Sequence, residues 1–273
     1  MRLTGTRLLA ATGAVLLGAC GPGCAHHVTP EIRRTSFAPH AAATIGDRPV
    51  AEFLLARTAI LMAGANVDRP ADPASAPSAP ERELTPGDGL GFGTATAIDP
   101  RGYLLTASHC VSRGPVYLVF STARGHPRIE RARVVWQGDF ARNEPDLALL
   151  RIMHRLDATL EWAAEFKRGD PVFAAGLNYD QTFHFDSGCV AGEVTRIAHH
   201  AETAFPHDHV FHQAPLHSGD SGGPLTTTAG RLIGINTGAG SLHVWPFSWR
   251  VSRAERPDLA WLRRLIEADY ATP

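Results

Sequence analysis

The sequence predicts an all-β domain, a barrel or a sandwich, carrying one C-terminal helix. Three observations predict it. From Leu90 onward, short β-rich runs follow one another: GLGFGTATAI, GYLLTAS, VYLVFS, ARVVWQ, DLALLRI, PVFAAGL, HVFHQAPL and RLIGINTG. Clusters of Gly, Pro, Asp and Asn separate them, the punctuation expected of many short strands joined by turns. Helical spacing is convincing in one place only, Asp258–Tyr270 (DLAWLRRLIEADY), where Leu259, Leu262, Leu265 and Ile266 recur behind Pro257.

The N-terminal residues stand outside this domain. MRLTGTR carries Arg2 and Arg7, LLAATGAVLL is a short apolar run, and Leu17–Cys20 (LGAC) closes it with small residues. Positive end, apolar middle and small residues before the cut form the order of a secretory signal. The run falls short of the roughly 20 apolar residues of a spanning helix. LGAC also resembles a bacterial lipobox. That resemblance implies that Cys20 carries a diacylglyceryl group and becomes the mature N-terminus, and Gly21 after it favours the outer membrane. The expectation is a chain held outside the cytoplasm by acyl chains, or a periplasmic or secreted chain if the signal is a plain one.

Residues 21–50 are polar, rich in Pro and Ala and without period, and are expected to form a flexible tether. Ala51–Val67 is the first apolar segment, its second half suited to an opening strand; the segment 68–88, dense in Pro, Ala, Ser and Asp, reads as a long mobile surface loop. The main domain is therefore expected over 51–273.

Charge narrows the function. The 26 Lys+Arg nearly balance 27 Asp+Glu, so no basic face advertises nucleic acid. Lys167 is the only lysine. The four cysteines are Cys20, Cys24, Cys110 and Cys189. Export makes disulfides possible, but a lipidated Cys20 leaves room for one intramolecular bridge at most.

Three blocks carry chemistry: Thr106–Val111 (TASHCV), Asp146–Leu150 (DLALL) and His217–Leu225 (HSGDSGGPL). The last one also satisfies G-x-S-x-G, the nucleophile elbow of α/β-hydrolases. That elbow leads into a helix, and its triad runs serine, acid, histidine. Here the order is His109, Asp146, Ser221, and Gly222-Gly223-Pro224 lead toward a strand-like RLIGIN. The elbow reading fails.

In these blocks and their order the chain closely resembles the trypsin-like serine peptidases of the chymotrypsin superfamily, over roughly Arg57 to Tyr270. The resemblance implies two antiparallel six-stranded β-barrels of the chymotrypsin type with a C-terminal helix. It also implies a serine endopeptidase that acts on protein or peptide substrates without a cofactor or metal. Ser221 would be the nucleophile. His109 would be its base, with an ordinary pKa near working pH. Asp146 would fix the imidazole's tautomer and stabilise the imidazolium. The N–H groups of Gly219 and Ser221 would form the oxyanion hole, donors commonly worth about 10²–10³ in rate each. The base of the primary pocket would fall near Pro215, and its wall near Asn236, Thr237 and Gly238. A proline at 215 argues against a preference for Arg or Lys and suggests a small or apolar residue before the cut bond.

The sequence departs from the family in two places. The strand before the histidine, GFGTATAI, offers no cysteine to pair with Cys110, which is then either a buried free thiol or paired unconventionally with Cys189 or Cys24. No IVGG-like start supplies an amine for Asp220, so an internal side chain or backbone donors are expected to hold that carboxylate, without zymogen cleavage. High-temperature-requirement proteases of the bacterial periplasm are similar in their compact blocks, but they carry a PDZ domain, and the expectation here is a protease domain without one.

His199, His200, His207, His209, His212 and His217 crowd the stretch before Ser221. His207 and His209 would share a strand face and could bind a metal. The spacing matches no established zinc pattern and includes no carboxylate or thiol set, so solvated loop histidines are the expectation. Two rivals to the peptidase are a catalytically silent binding or scaffold lipoprotein of the same fold, and an esterase using the same triad.

Overall fold

The computed structural model describes residues 43–64, 91–111, 114–120, 128–139, 142, 144–179, 185–201, 203, 205–244 and 247–272. Cys20, Cys24, the stretch before residue 43 and the Pro/Ala-rich segment 68–88 lie outside the described residues.

Two closed six-stranded barrels form the body of the described residues, as the resemblance implied. The first contains β3 (Thr58–Ala63), β4 (Gly91–Asp99), β5 (Tyr103–Thr106), β6 (Val116–Phe120), β7 (Arg128–Gln137) and β8 (Ala148–Arg151), in the order β3-β4-β5-β8-β7-β6. The second contains β9 (Pro171–Tyr179), β10 (Phe185–His200), β11 (His207–His212), β12 (Pro224–Thr227), β13 (Leu232–Val244) and β14 (Phe247–Pro257), in the order β10-β11-β14-β13-β12-β9. All their pairings are antiparallel. Closure removes the exposed sheet edges that would otherwise invite aggregation.

Strand alternation divides the core into three clusters. Leu61, Ala95, Leu104, Leu118 and Leu150 fill the first barrel, and Val172, Val210, Leu225, Ile233 and Ala254 fill the second. Tyr103, Leu105, Leu147 and Leu149 point the other way and meet Phe173, Leu232 and Ile235 between the barrels. This explains why YLLT and DLALL read as continuous apolar runs: one face looks into a barrel and the other into the seam, so both are buried.

The C-terminal helix α2 (Leu259–Tyr270) covers the seam with Leu262 and Ile266, and Asp258 caps it by accepting the Trp261 N–H at 2.6 Å. A second, short helix, α1 (Val50–Leu55), precedes β3, a segment whose apolar run gave only the strand. Before α1, β1 (Thr44–Ile45) pairs with β2 (Arg48–Pro49), and Ile45 is buried in the seam cluster. The end of the expected tether is thus packed on the domain.

Candidate active site

Register brings His109 to Asp146. β5 pairs with β8 so that Thr106 faces Ala148. Continuing that ladder by two residues sets Ser108 opposite Asp146, and the Ser108 N–H donates to the Asp146 carbonyl at 3.2 Å. A 3₁₀ turn at Ser108–Cys110 then swings the imidazole over the carboxylate. His109 Nδ1 lies 2.8 Å from Asp146 Oδ2, while Asp146 Oδ1 accepts from the His109 N–H at 3.1 Å and the Ser108 hydroxyl at 2.9 Å. The carboxylate is buried, and the imidazole above it is half exposed.

Burial alone would lower the pKa of His109. The hydrogen bond and charge of Asp146, with a contribution from Cys110, outweigh burial and hold the imidazole above its ordinary 6.5. Burial likewise raises Asp146, but hydrogen bonds from His109 and Ser108 bring it below the usual carboxylate range. Asp146 is therefore an anion set to orient and stabilise an imidazolium.

Ser221 reaches the same place from the second barrel through a turn gripped by threonines of the first. The Thr94 N–H donates to the Ser221 carbonyl at 2.8 Å, the Thr94 hydroxyl to the Gly219 carbonyl at 2.8 Å, and the Thr96 hydroxyl to the Gly222 carbonyl at 2.8 Å. The Thr106 hydroxyl ties Thr94 itself down at 2.7 Å. Cys110, next to His109 in the chain, is a free buried thiol with Sγ 3.9 Å from the Ser221 carbonyl. Of its two proposed partners, Cys24 and the Cys189 side chain lie outside the described residues.

The turn is shaped to present N–H groups. Gly219 and Gly222 have φ of 97° and 89°, in the left-handed region that favours glycine. A Cβ on Gly222 would also run into the Thr94 carbonyl. Asp220, Gly222 and Gly223 donate their N–H groups to His217, Asn236 and Asp220 carbonyls at 3.1, 2.7 and 2.9 Å. Among the described residues no acceptor takes the N–H of Gly219 or Ser221, the two assigned to the oxyanion hole. Buried Asp220 has an internal donor, as expected: the His217 N–H reaches Oδ2 at 2.7 Å, with His217 Nδ1 3.7 Å from the same oxygen.

The four pocket candidates differ in placement. Pro215 is half-buried on the approach to the turn. Asn236 is fully buried behind the turn; it exchanges backbone hydrogen bonds with Gly222 and Gly223, and its Nδ2 reaches the Pro224 carbonyl at 3.3 Å. Thr237 is tied to β14, accepting from Arg253 Nε at 3.2 Å and donating to Glu255 Oε1 at 3.5 Å. Over Gly238 there is open space.

The expectation of solvated loop histidines is corrected. His199 and His200 end β10, and His207, His209 and His212 belong to β11. His207 and His212 are buried. Burial pushes His212 down to about 4, with Asn236 offsetting part of the effect.

Sequence reasoning missed Thr94, Thr96, Thr106 and Ser108, all of them buried. Their signal was present in GTATA and TASHC: hydroxyl residues repeating at period two on a strand that is otherwise small and apolar.

Comparison with known proteins agrees with this fold. The sequence profile of the family described as trypsin-like peptidase domain matches residues 93–235, more than half of the chain. A curated relative, the uncharacterised protein y4bJ of Sinorhizobium fredii, is 29% identical over 175 residues, 62% of this chain. The chain spans only 24% of that relative's length. Among solved structures, the HtrA-type protease AlgW with a decapeptide superposes with a TM-score of 0.55 at 21% identity, over 81% of this chain and 66% of that one. The serine endoprotease of Yersinia pestis gives 0.52 at 19% identity, over 80% of this chain and 64% of that one. The Rv3671c protease of M. tuberculosis in its active form gives 0.53 at 20% identity, over 80% and 83%. At these identities the superpositions establish the fold.

Proposed function

Because the chain belongs to the trypsin-like peptidase domain family, we propose that it is a serine endopeptidase cutting peptide bonds with Ser221, His109 and Asp146. The observation that carries this reading is the His109 Nδ1–Asp146 Oδ2 contact of 2.8 Å, made beside a turn whose Ser221 carbonyl is held on β4. Asp146 accepts from Nδ1 and leaves Nε2 as the basic nitrogen. That nitrogen takes the Ser221 proton as the hydroxyl attacks the substrate carbonyl. Negative charge then develops on the carbonyl oxygen, and the free N–H groups of Gly219 and Ser221 meet it. The imidazolium returns its proton to the leaving amine, and water repeats the cycle on the acyl-enzyme.

Peptide substrates suit this reading, since AlgW was solved with a decapeptide and, in another form, with a tripeptide. The open space over Gly238 offers an extended substrate room beside β13. Export and lipid anchoring at Cys20 belong to the same proposal. They are supported by the charged, apolar and small-residue order of MRLTGTR, LLAATGAVLL and LGAC. Labelled fatty acid incorporated by the natural chain but not by Cys20→Ser is the expected result; equal incorporation would remove the anchor from the reading.

A fluorophosphonate probe combined with a peptide-library digest tests the chemistry. The intact chain should be labelled and cut peptides, and Ser221→Ala should do neither. A folded chain that is neither labelled nor active would point to the scaffold. Cleavage of esters without peptides would point to the esterase.

A further inference from the structure

On β10 and β11, elements that carry none of the three triad residues, His200, His207 and His209 stand together. The hairpin register explains why. His200 pairs with His207 and Ala198 with His209, so the three imidazoles share one face. The rings of His200 and His207 stack at 4.8 Å and 10°, and those of His200 and His209 lie 4.3 Å apart. His200 Nε2 is 3.1 Å from His209 Nδ1. One nitrogen from each residue falls within 4.8 Å of the others.

We propose that these three histidines bind a zinc(II) ion. Zinc–imidazole bonds of about 2.0–2.1 Å at a tetrahedral angle put two ligand nitrogens about 3.3 Å apart. The 3.1 Å pair already has that spacing, and the His207 nitrogen lies within 4.8 Å of both. Two nitrogens this close need either a shared proton or a cation between them.

The groups behind the histidines fix the tautomers that ligation requires. His207 Nδ1 donates to the Phe205 carbonyl at 2.8 Å, which leaves Nε2 as its lone pair. His209 Nε2 lies 3.4 Å from Glu255 Oε1, its direct cross-strand neighbour, which leaves Nδ1 to face His200. A carboxylate behind a ligating imidazole is the usual outer partner of a zinc site. Glu255 is 1% exposed, and its Oε2 has no hydrogen-bond partner among the described residues. Arg253 Nη2, 3.4 Å from Oε1, offsets part of that buried charge, and a cation at the histidines would add to it. The carboxylate that local spacing did not offer comes from β14. An open cavity of about 450 Å³, lined by His199, Pro206, His207, Asp208, Arg256 and Asp258 among others, reaches the cluster at His207. The ion would clasp the β10–β11 hairpin beside the start of α2.

The test uses the full chain stripped with EDTA and titrated with zinc against a chromophoric chelator. The natural chain should take up a tight equivalent that His200→Gln/His209→Gln loses, with affinity falling at least about tenfold. Glu255→Gln should weaken binding about 10–100-fold. Zinc should raise the melting temperature of the natural chain and not that of the double variant. Equal melting of the two chains in EDTA shows that the variant is folded. Cobalt(II) should give the visible spectrum of a four- or five-coordinate nitrogen site in the natural chain. Zinc uptake unchanged by the double substitution, or no zinc uptake and no such cobalt spectrum in the natural chain, would overturn the proposal.

Discussion

The Thr94 hydroxyl, on the first barrel, donates to the Gly219 carbonyl in the turn of the second at 2.8 Å. That bond and its neighbour from Thr96 to Gly222 hold the turn that carries the N–H groups of the proposed oxyanion hole. Thr94→Val keeps the shape and removes the donor. An unpaired buried carbonyl costs about 1–3 kcal/mol. If about 1.4 kcal/mol of that falls on the transition state, kcat/KM drops about tenfold. Thr94→Ser should retain most of the activity. Urea unfolding and peptide kinetics on the two variants check both parts, and full activity in Thr94→Val would show that the turn holds its shape without this donor.

The His109–Asp146 pair sets an expected pH profile. In the proposed mechanism His109 acts as a base only when neutral, and its pKa is raised above 6.5 because Asp146, with a contribution from Cys110, outweighs burial. A raised value keeps the ring protonated to higher pH, so the acid limb of kcat/KM should have its midpoint above 6.5. Asp146→Asn removes the charge, which should move that limb down and cut kcat by about 10⁴-fold. A limb at or below the ordinary histidine value in the natural enzyme would count against the pairing as the active arrangement.

Asp220 has its donor within the chain, in the His217 N–H at 2.7 Å. A cut terminus is therefore not required as its hydrogen-bond partner. Purified protein should hydrolyse peptides with residues 40–90 unbroken, as N-terminal sequencing and intact mass would show. Asp220→Ala should lose activity, because the His217 N–H, two residues before the Gly219 N–H of the turn, then loses its acceptor. Activity appearing only after a cut in 40–90 would assign the carboxylate a different partner.

The legible parts of the sequence were those written in local chemistry. TASHC and DLALL pointed to His109 and Asp146, which meet at 2.8 Å. GDSGGP pointed to the turn of the proposed nucleophile Ser221, and the short strands with one terminal helix were visible as β-rich runs and one stretch of helical spacing. What stayed hidden depends on contacts far apart in the chain. Thr94 and Gly219 are 125 positions apart, and only barrel closure makes them partners. Glu255 meets His209 through β11–β14 pairing, so a search for ligands by local spacing passed over it. Helix α1 was missed because its single turn and a half leads directly into β3, and the apolar run bore the strand's signature.

The end of helix α2 provides a stability test independent of catalysis. Asp269 accepts from the Tyr103 hydroxyl at 2.8 Å, Arg133 Nη2 at 2.9 Å and Arg151 Nη1 at 3.0 Å, which pins the helix to the first barrel. Burial alone would raise its pKa, but these hydrogen bonds lower it below 3.8. A depressed carboxylate contributes stability that is present above the unfolded value and lost as pH falls through the folded one. Asp269→Asn keeps an acceptor for Tyr103 but leaves two arginines without their anion, and should cost about 1–3 kcal/mol at pH 7. That deficit should shrink as the pH is lowered below the ordinary carboxylate range, where the natural chain also loses the charge. Glu267→Gln, at a solvent-exposed partner of Arg101 on the same helix, should change stability little. Urea unfolding at neutral and acid pH separates these outcomes: a deficit for Asp269→Asn that stays constant on acidification would mean that the charge contributes nothing and that the carboxylate acts through shape alone.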